Sequence, residues 1–402
     1  MNKDMFLLKG ATVIAEEGPS SDTSVLVENT KIKEIIRNHH YKDLSDIPII
    51  EFPSNYYIIP GMIDMHVHGV SGADILDADA DTIKEIRNAL PAEGTTAFLA
   101  TIMTAPPELV ENVLHSLWEY VSIFQKSFGA EILGVHLEGP FLSPQKSGSQ
   151  NSDMIAIPDI KLVKKWQKVS GNIIRLITLA PEQKNGLELI RYLKDQGIIA
   201  SIGHSEANFN QTVEAIKAGA QYATHLFNAM RGINHREPGT ITAVLVDDSV
   251  YAELIVDGVH VHPCIIKLAY KVKGKQRLVL VTDAIFAKNL DDGTYQWGAE
   301  YIDLKDGEAR LKNGTLAGGV LKMNSALKNM ISFTDCSIAD VITMTAENPA
   351  KILGVFDKKG SIAEGKDADI VVLDDDYDVV MTICKGQIVY EREGEKNAPR
   401  TW

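Results

Sequence analysis

The chain has 402 residues, 45% hydrophobic and 23% charged, with a formal net charge of -14, which suits a globular enzyme with a large barrel and a smaller companion and leaves no case for disorder. The acidic balance argues against nucleic acid or an anionic membrane as the main partner, because each asks for a broad basic surface; a small anion needs only a few cations in one pocket. The first apolar run is too short for a signal peptide, no later one is long and charge-free enough to span a bilayer, and Cys264, Cys336 and Cys384 are too scattered to suggest a disulfide framework, so a cytoplasmic location is expected.

In chain order, residues 1–55 carry short β-like runs, Met5 to Ile14 and Ser24 to Ile36, separated by polar turns. Residues 356–402 read the same way, with Asp369 to Leu373, Val379 to Cys384 and Gln387 to Tyr390 as strands and the run Asp374-Asp375-Asp376 as a solvated turn. Two β-rich ends around a different middle imply one small β-sandwich domain assembled from both termini, flanking a catalytic domain over residues 56–355.

That middle opens on the apolar run Met62 to His68, bounded by Pro60-Gly61 and Gly69 and read as a buried strand. Side chains of a strand repeat with period two, so His66 and His68 leave the same face, with Asp64 one layer deeper. Strand-like and helix-like segments then alternate. Strands are expected at Thr95 to Ile102, Glu131 to Leu137, Ile173 to Leu179, Ile198 to Ile202, Tyr222 to Leu226, Tyr251 to Val256 and Arg277 to Val281. Helices are expected at Asp81 to Leu90, Pro107 to Phe124, Ile160 to Lys168, Asn210 to Ala218, Asn324 to Phe333 and Ile338 to Leu353, with a hairpin-like insertion at Asn289 to Leu316. Eight strands in such alternation argue for a (β/α)8 barrel.

A barrel does its chemistry at the C-terminal ends of its strands. His66 and His68 stand at the end of the first, Glu138 follows the third, His204 the fifth, His225 the sixth and Asp283 the eighth. Each alone also reads as an ordinary core or loop residue, but one barrel face collects all of them, and imidazoles with a carboxylate suit Zn²⁺ or Fe²⁺ better than Mg²⁺ or Ca²⁺. His39, His40 and His115 fall away from the strand ends and read as surface residues. His235 and His262 have no assigned task, His136 could support the metal shell, and Lys146 and Gln150 could touch substrate.

Pro60-Gly-Met-Ile-Asp-x-His-x-His68 resembles the amidohydrolase superfamily. Longer motifs narrow the resemblance to the N-acetylglucosamine-6-phosphate deacetylase family: Gly134-Val-His-Leu-Glu-Gly-Pro-Phe141, Gly203-His-Ser205, Thr224-His-Leu-Phe-Asn-Ala-Met230, His235-Arg-Glu-Pro-Gly239, Asp257-Gly-Val-His260, Val281-Thr-Asp-Ala284, Leu316-Ala-Gly318 and Asn348-Pro-Ala-Lys-Ile-Leu-Gly354. It covers nearly the whole chain and implies hydrolysis of the acetamide of a phosphorylated amino sugar, in amino-sugar catabolism or cell-wall recycling. Glu138, His204 and His225 are then expected to hold the principal metal and His66 and His68 a second, with Glu138 bridging, giving one or two ions with two favoured, and Asp283 to act as general base and acid. Ser149, Asn228, Ala229, Arg236, His260, Leu316, Ala317 and Gly318 are expected to contact the sugar phosphate, Arg236 by reaching into the neighbouring site of a homodimer.

Ile285 and Phe286 depart from the polar or small residues of this loop in several members, which bears on substrate fit. Two competing readings share the barrel. A different metal-dependent amidohydrolase has no need of Arg236 with His260, and a scaffold that had lost its chemistry has no need of the metal-type set or of Asp283.

Overall fold

Gly61 is where the chain leaves one sheet for another. In the computed structural model, which describes residues 5–37, 47–124, 129–298, 300–393 and 400–401, Tyr57–Pro60 pairs with Ile370–Leu373 in a terminal sheet and Met62–Val67 pairs with Thr95–Met103 in the barrel.

The barrel strands are β1 (Met62–Val67), β2 (Thr95–Met103), β3 (Glu131–Glu138), β4 (Ile174–Leu179), β5 (Ile199–Ile202), β6 (Tyr222–Ala223), β7 (Tyr251–Ile255) and β8 (Leu278–Val281), all parallel and paired in chain order. The expected (β/α)8 architecture is present. β1 and β8 close it without a continuous ladder: Thr282 donates its backbone N–H and its hydroxyl to Asp64, at 3.3 and 2.5 Å, and His68 N–H reaches Ala284 O at 2.7 Å. Asp64, fully buried, therefore serves the barrel seam below the two histidines. Its strands read as near-continuous apolar runs because helices cover the outside and side chains fill the inside.

Three further helices go beyond those expected from the sequence: Gly186–Asp195, Thr240–Val246 and Pro263–Lys273. The last segment, read as one helix, is broken into Ile338–Ile342, a π-helical turn Thr343–Glu347 and Asn348–Ile352. The sixth strand is shorter than expected, because the backbone turns left-handed at His225 (φ 30°). The insertion is larger than a hairpin, a four-stranded antiparallel sheet from Gly293 to Gly318.

The termini form a five-stranded and a six-stranded sheet whose facing side chains, among them Leu8, Val25, Ile32, Ile58, Ile370 and Val372, make one apolar core. The run Met5 to Ile14 is two strands, one in each sheet. The chain turns between them at Gly10 (φ 95°), where a Cβ would lie 2.1 Å from Phe52 O, so only glycine fits. Both termini thus complete one unit, and β1 is its direct continuation into the barrel.

Candidate active site

Three side chains at the barrel mouth sit on backbone that L-residues seldom adopt: His204, His225 and Asp283 have φ of 47°, 30° and 49°. Such a conformation costs about 1–3 kcal/mol and persists only where the surroundings enforce it. Each follows its strand by two residues, and the left-handed turn ends the ladder and aims the side chain inward. The surroundings are specific. Glu253 accepts the His225 N–H at 3.0 Å, Ser143 N–H donates to His204 O at 2.9 Å, and Gly319 N–H donates to Asp283 O at 2.7 Å. A Cβ on Gly319 would meet Thr282 O at 2.0 Å, which explains a glycine there.

The side chains converge in two triads. Oε1 of Glu138 lies 2.9 Å from His225 Nε2 and 3.1 Å from His204 Nε2, and those two nitrogens are 3.1 Å apart. In the second triad the Nε2 atoms of His66 and His68 are 3.1 Å apart, and Asp283 Oδ1 is 3.2 and 3.4 Å from them. Glu138 belongs to both, its Oε2 lying 3.4 Å from His68 Nε2. All six are nearly buried. Two imidazole nitrogens face to face cannot both carry a proton, and the other ring nitrogens help decide which does. His204 Nδ1 donates to Lys146 O at 2.8 Å, which leaves its Nε2 lone pair pointing into the triad. Lone pairs and carboxylate oxygens gathered this closely fit a divalent cation.

Electrostatics agree with that donor set. Burial opposes the charge on Glu138, but the His66 imidazole and the close His204 and His225 rings outweigh it and hold the carboxyl well below its usual range. Burial likewise opposes ionisation of Asp283, and His66 with His68 overcomes it, bringing the carboxyl down to about 2. His68 shows the converse: burial favours the neutral ring, but Asp283 and Glu138 raise it to about 9. His136 packs edge-on against His66 at 4.6 Å, hydrogen-bonded to Thr178, and burial holds it neutral.

Above the triads opens a cavity of about 290 Å³. His68, Glu138, His204, His225 and Asp283 form its floor, and Ser149, Asn228, Ala229, His260, Leu316, Ala317 and Gly318 line its walls. Ser149 Oγ donates to Ala317 O at 3.1 Å, tying the loop after β3 to the insertion. Arg236 does not line this cavity; it is exposed on the loop that precedes Thr240–Val246.

Several residues take parts beyond those their sequence context suggested, Gln150 among them although it also lines the cavity. Gln150 donates to Glu138 Oε2 at 2.7 Å and accepts Thr104 N–H at 2.7 Å, so it clamps the shared carboxylate. Lys146 pairs through its side chain with Glu206. Phe286 is buried in the insertion's own core against Tyr295 and Trp297, whereas Ile285 faces the cavity. Trp297 lines the cavity with its indole N–H held by Asp74 at 3.1 Å, and Asp257 grips His260 Nδ1 at 2.6 Å. The Asp257–His260 pair is local, within the motif Asp257-Gly-Val-His260, whereas Trp297 carried no sequence signal, because it meets Asp74 only in the fold. His115 is exposed, His235 is exposed beside Arg236, and His262 caps the helix Pro263–Lys273. His39 and His40 lie outside the described residues.

Residues 57–389 match the model of the amidohydrolase family. The chain is similar to the N-acetylglucosamine-6-phosphate deacetylase of Bacillus subtilis (strain 168), at 42% identity over 96% of this chain and 98% of that one. It is 36% identical to the N-acetylgalactosamine-6-phosphate deacetylase of Escherichia coli O157:H7, over 82% of this chain and 87% of the relative. The crystal structure of N-acetylglucosamine-6-phosphate deacetylase from Pasteurella multocida superposes with a TM-score of 0.89 at 30% identity, covering 96% of this chain and 99% of that one.

Proposed function

The chain belongs to the amidohydrolase family, in the branch of the N-acetylglucosamine-6-phosphate deacetylases, and from that premise we propose how its residues divide the work. The reaction is hydrolysis of the acetamide of N-acetyl-D-glucosamine 6-phosphate to D-glucosamine 6-phosphate and acetate, in amino-sugar metabolism. The observation that carries the assignment of roles is the meeting of both triads at Glu138, on the floor of the cavity that His260 also lines.

Glu138, His204 and His225 would hold the principal divalent ion, Zn²⁺ or Fe²⁺, and His66 with His68 would hold a second, next to the same Glu138 carboxylate. When bound, such an ion supplies an activated water near neutral pH and draws charge from the substrate carbonyl. Asp283, a carboxylate throughout the neutral range, takes the proton from the attacking water and delivers it to the departing amine nitrogen. Its left-handed backbone, held by Gly319, keeps Oδ1 at the third corner of a near-equilateral triangle with the Nε2 atoms of His66 and His68.

A phosphate dianion must be met by cations and donors when it leaves water. His260 supplies one from the same chain, oriented by Asp257. Arg236, exposed and outside its own cavity, supplies the other from a second copy of the chain in a homodimer, where its fork suits phosphate oxygens. Ser149, Asn228, Ala229 and Leu316 to Gly318 contact the sugar, partly through backbone groups. No described helix is long and apolar enough to cross a membrane, and the free Cys264, Cys336 and Cys384 suit the cytoplasm.

Amine release from N-acetylglucosamine 6-phosphate, its unphosphorylated form and N-acetylgalactosamine 6-phosphate, before and after a chelator, tests this reading. Chelator-sensitive preference for the first is expected. Preference for the galacto epimer would shift the substrate, and indifference to phosphate would remove Arg236 and His260 from their roles.

A further inference from the structure

β7 contributes no member of either triad, yet its middle residue is a fully buried carboxylate, Glu253. Among the described residues no lysine or arginine lies within ion-pair distance of it. Its Oε2 is 3.1 Å from His66 Nδ1 and accepts the His225 backbone N–H at 3.0 Å, and its Oε1 makes no hydrogen bond of ordinary geometry, with the Tyr222 hydroxyl, directed to Met65 Sδ, close to the carboxylate. Removing a carboxylate from water without a full cation is expensive, and hydrogen bonding alone does not require it. A glutamine would accept from His225 and from the His66 ring at far lower cost. The charge therefore has another use.

Building on the two-ion reading above, we propose that Glu253 is a positioning residue for the second cation. It holds the Nδ1 proton of His66, so that the Nε2 lone pair faces His68 and Asp283, and it links that ligand to His225 of the first triad. A carboxylate on the far nitrogen of a ligating imidazole fixes its tautomer and orientation and makes it a better donor. Because one oxygen serves both contacts, His66 and the left-handed turn at His225 are referred to a single atom, which sets one triad against the other. His136 lies close to the same pair, but its ring nitrogens face Thr178 and Thr101 at 2.7 and 3.4 Å, so these three do not form a cation site of their own.

The test is Zn²⁺ titration of chelator-stripped, full-length Glu253→Gln beside the wild type, with bound ions counted by elemental analysis, affinities taken by competition, and melting of the metal-free proteins recorded. The expected result is one ion bound as in the wild type, a second weakened roughly 10–100-fold, and a metal-free Tm equal to or above the wild-type value. Two ions at wild-type affinity would overturn the inference. So would equal weakening of both with a lowered metal-free Tm, since that is what loss of a purely structural residue produces. Should Glu253→Gln fail to fold, Glu253→Asp keeps the charge but withdraws it by one methylene; it too should weaken only the second ion, and an unchanged second affinity would be decisive against the role. A wild type that binds fewer than two ions sinks the two-ion reading itself, a failure separate from that of the variant.

Discussion

His204 Nε2 and His225 Nε2 stand 3.1 Å apart, and both face Oε1 of Glu138, at 3.1 and 2.9 Å. They come from different strands, so no local preference brings them together; the barrel does. Nitrogens so placed share a cation or waste their lone pairs.

Replacing the shared carboxylate should therefore cost more ions than replacing a ligand of one triad. Glu138→Gln is expected to lose both ions and all activity above background, while His68→Ala keeps the ion of the other triad. Elemental analysis of the purified variants checks this. Equal ion content in the two variants would rule out a bridging carboxylate.

Metal uptake should release protons. His68 is raised to about 9 and His66 also lies above the usual histidine range, in both cases because nearby carboxylates overcome burial. At pH 7.5 the metal-free protein holds protons at the His66–His68 pair, where the proposed second ion would bind. Calorimetric titration in buffers of different ionisation enthalpy should show at least one proton displaced. The same shift has a consequence for stability. A histidine whose folded pKa exceeds its unfolded value contributes stability that is complete below about pH 6.5. That contribution is lost as pH rises through about 9. The melting temperature of the metal-free protein should fall across this window and that of the loaded protein much less.

Asp283→Asn should separate proton transfer from metal binding. If Asp283 is the base and acid, kcat falls by roughly 10²–10⁴-fold with both ions retained. Loss of an ion together with activity would make it a ligand first.

In the proposed division, phosphate recognition falls to Asp257 with His260 on one chain and Arg236 on the other. Arg236→Ala is expected to raise KM for the phosphorylated sugar at least tenfold while sparing the unphosphorylated one. Mixing it with an Asp283→Asn variant should restore part of the activity, because some mixed dimers hold one site with neither change. Asp257→Asn, which loosens the grip on His260 Nδ1, should shift KM in the same direction through one chain alone. Parallel losses on both substrates would argue for a general loss of fold.

Much of this was legible in order along the chain. Period two put His66 and His68 on one face of β1, and the strand-to-helix rhythm located the ends at which Glu138, His204, His225 and Asp283 collect. Apolar strands bounded by glycine and proline are a local signal, and so is a ligand-type residue just past each. The weaker elements failed for local reasons too: Thr240–Val246 spans only two turns, and Tyr222–Ala223 is a two-residue strand cut short by the turn at His225.

What the chain could not announce is everything that depends on two distant segments meeting. Glu253 looks like a lone charge in an apolar strand, Gln150 like a loop residue, and Trp297 like an insertion residue; only closure of the barrel sets them against His66, Glu138 and the cavity. Residue identity and spacing thus determined the fold class and gathered the candidate donors at one barrel face, because these follow from periodicity and ligand chemistry, whereas the reaction class came from the resemblance of the longer motifs to a family. The tertiary structure supplied the distances: Glu138 within reach of His68 as well as of His204 and His225, Glu253 against His66 Nδ1, and Arg236 off the cavity of its own chain, because separations between strands far apart in sequence are set by packing.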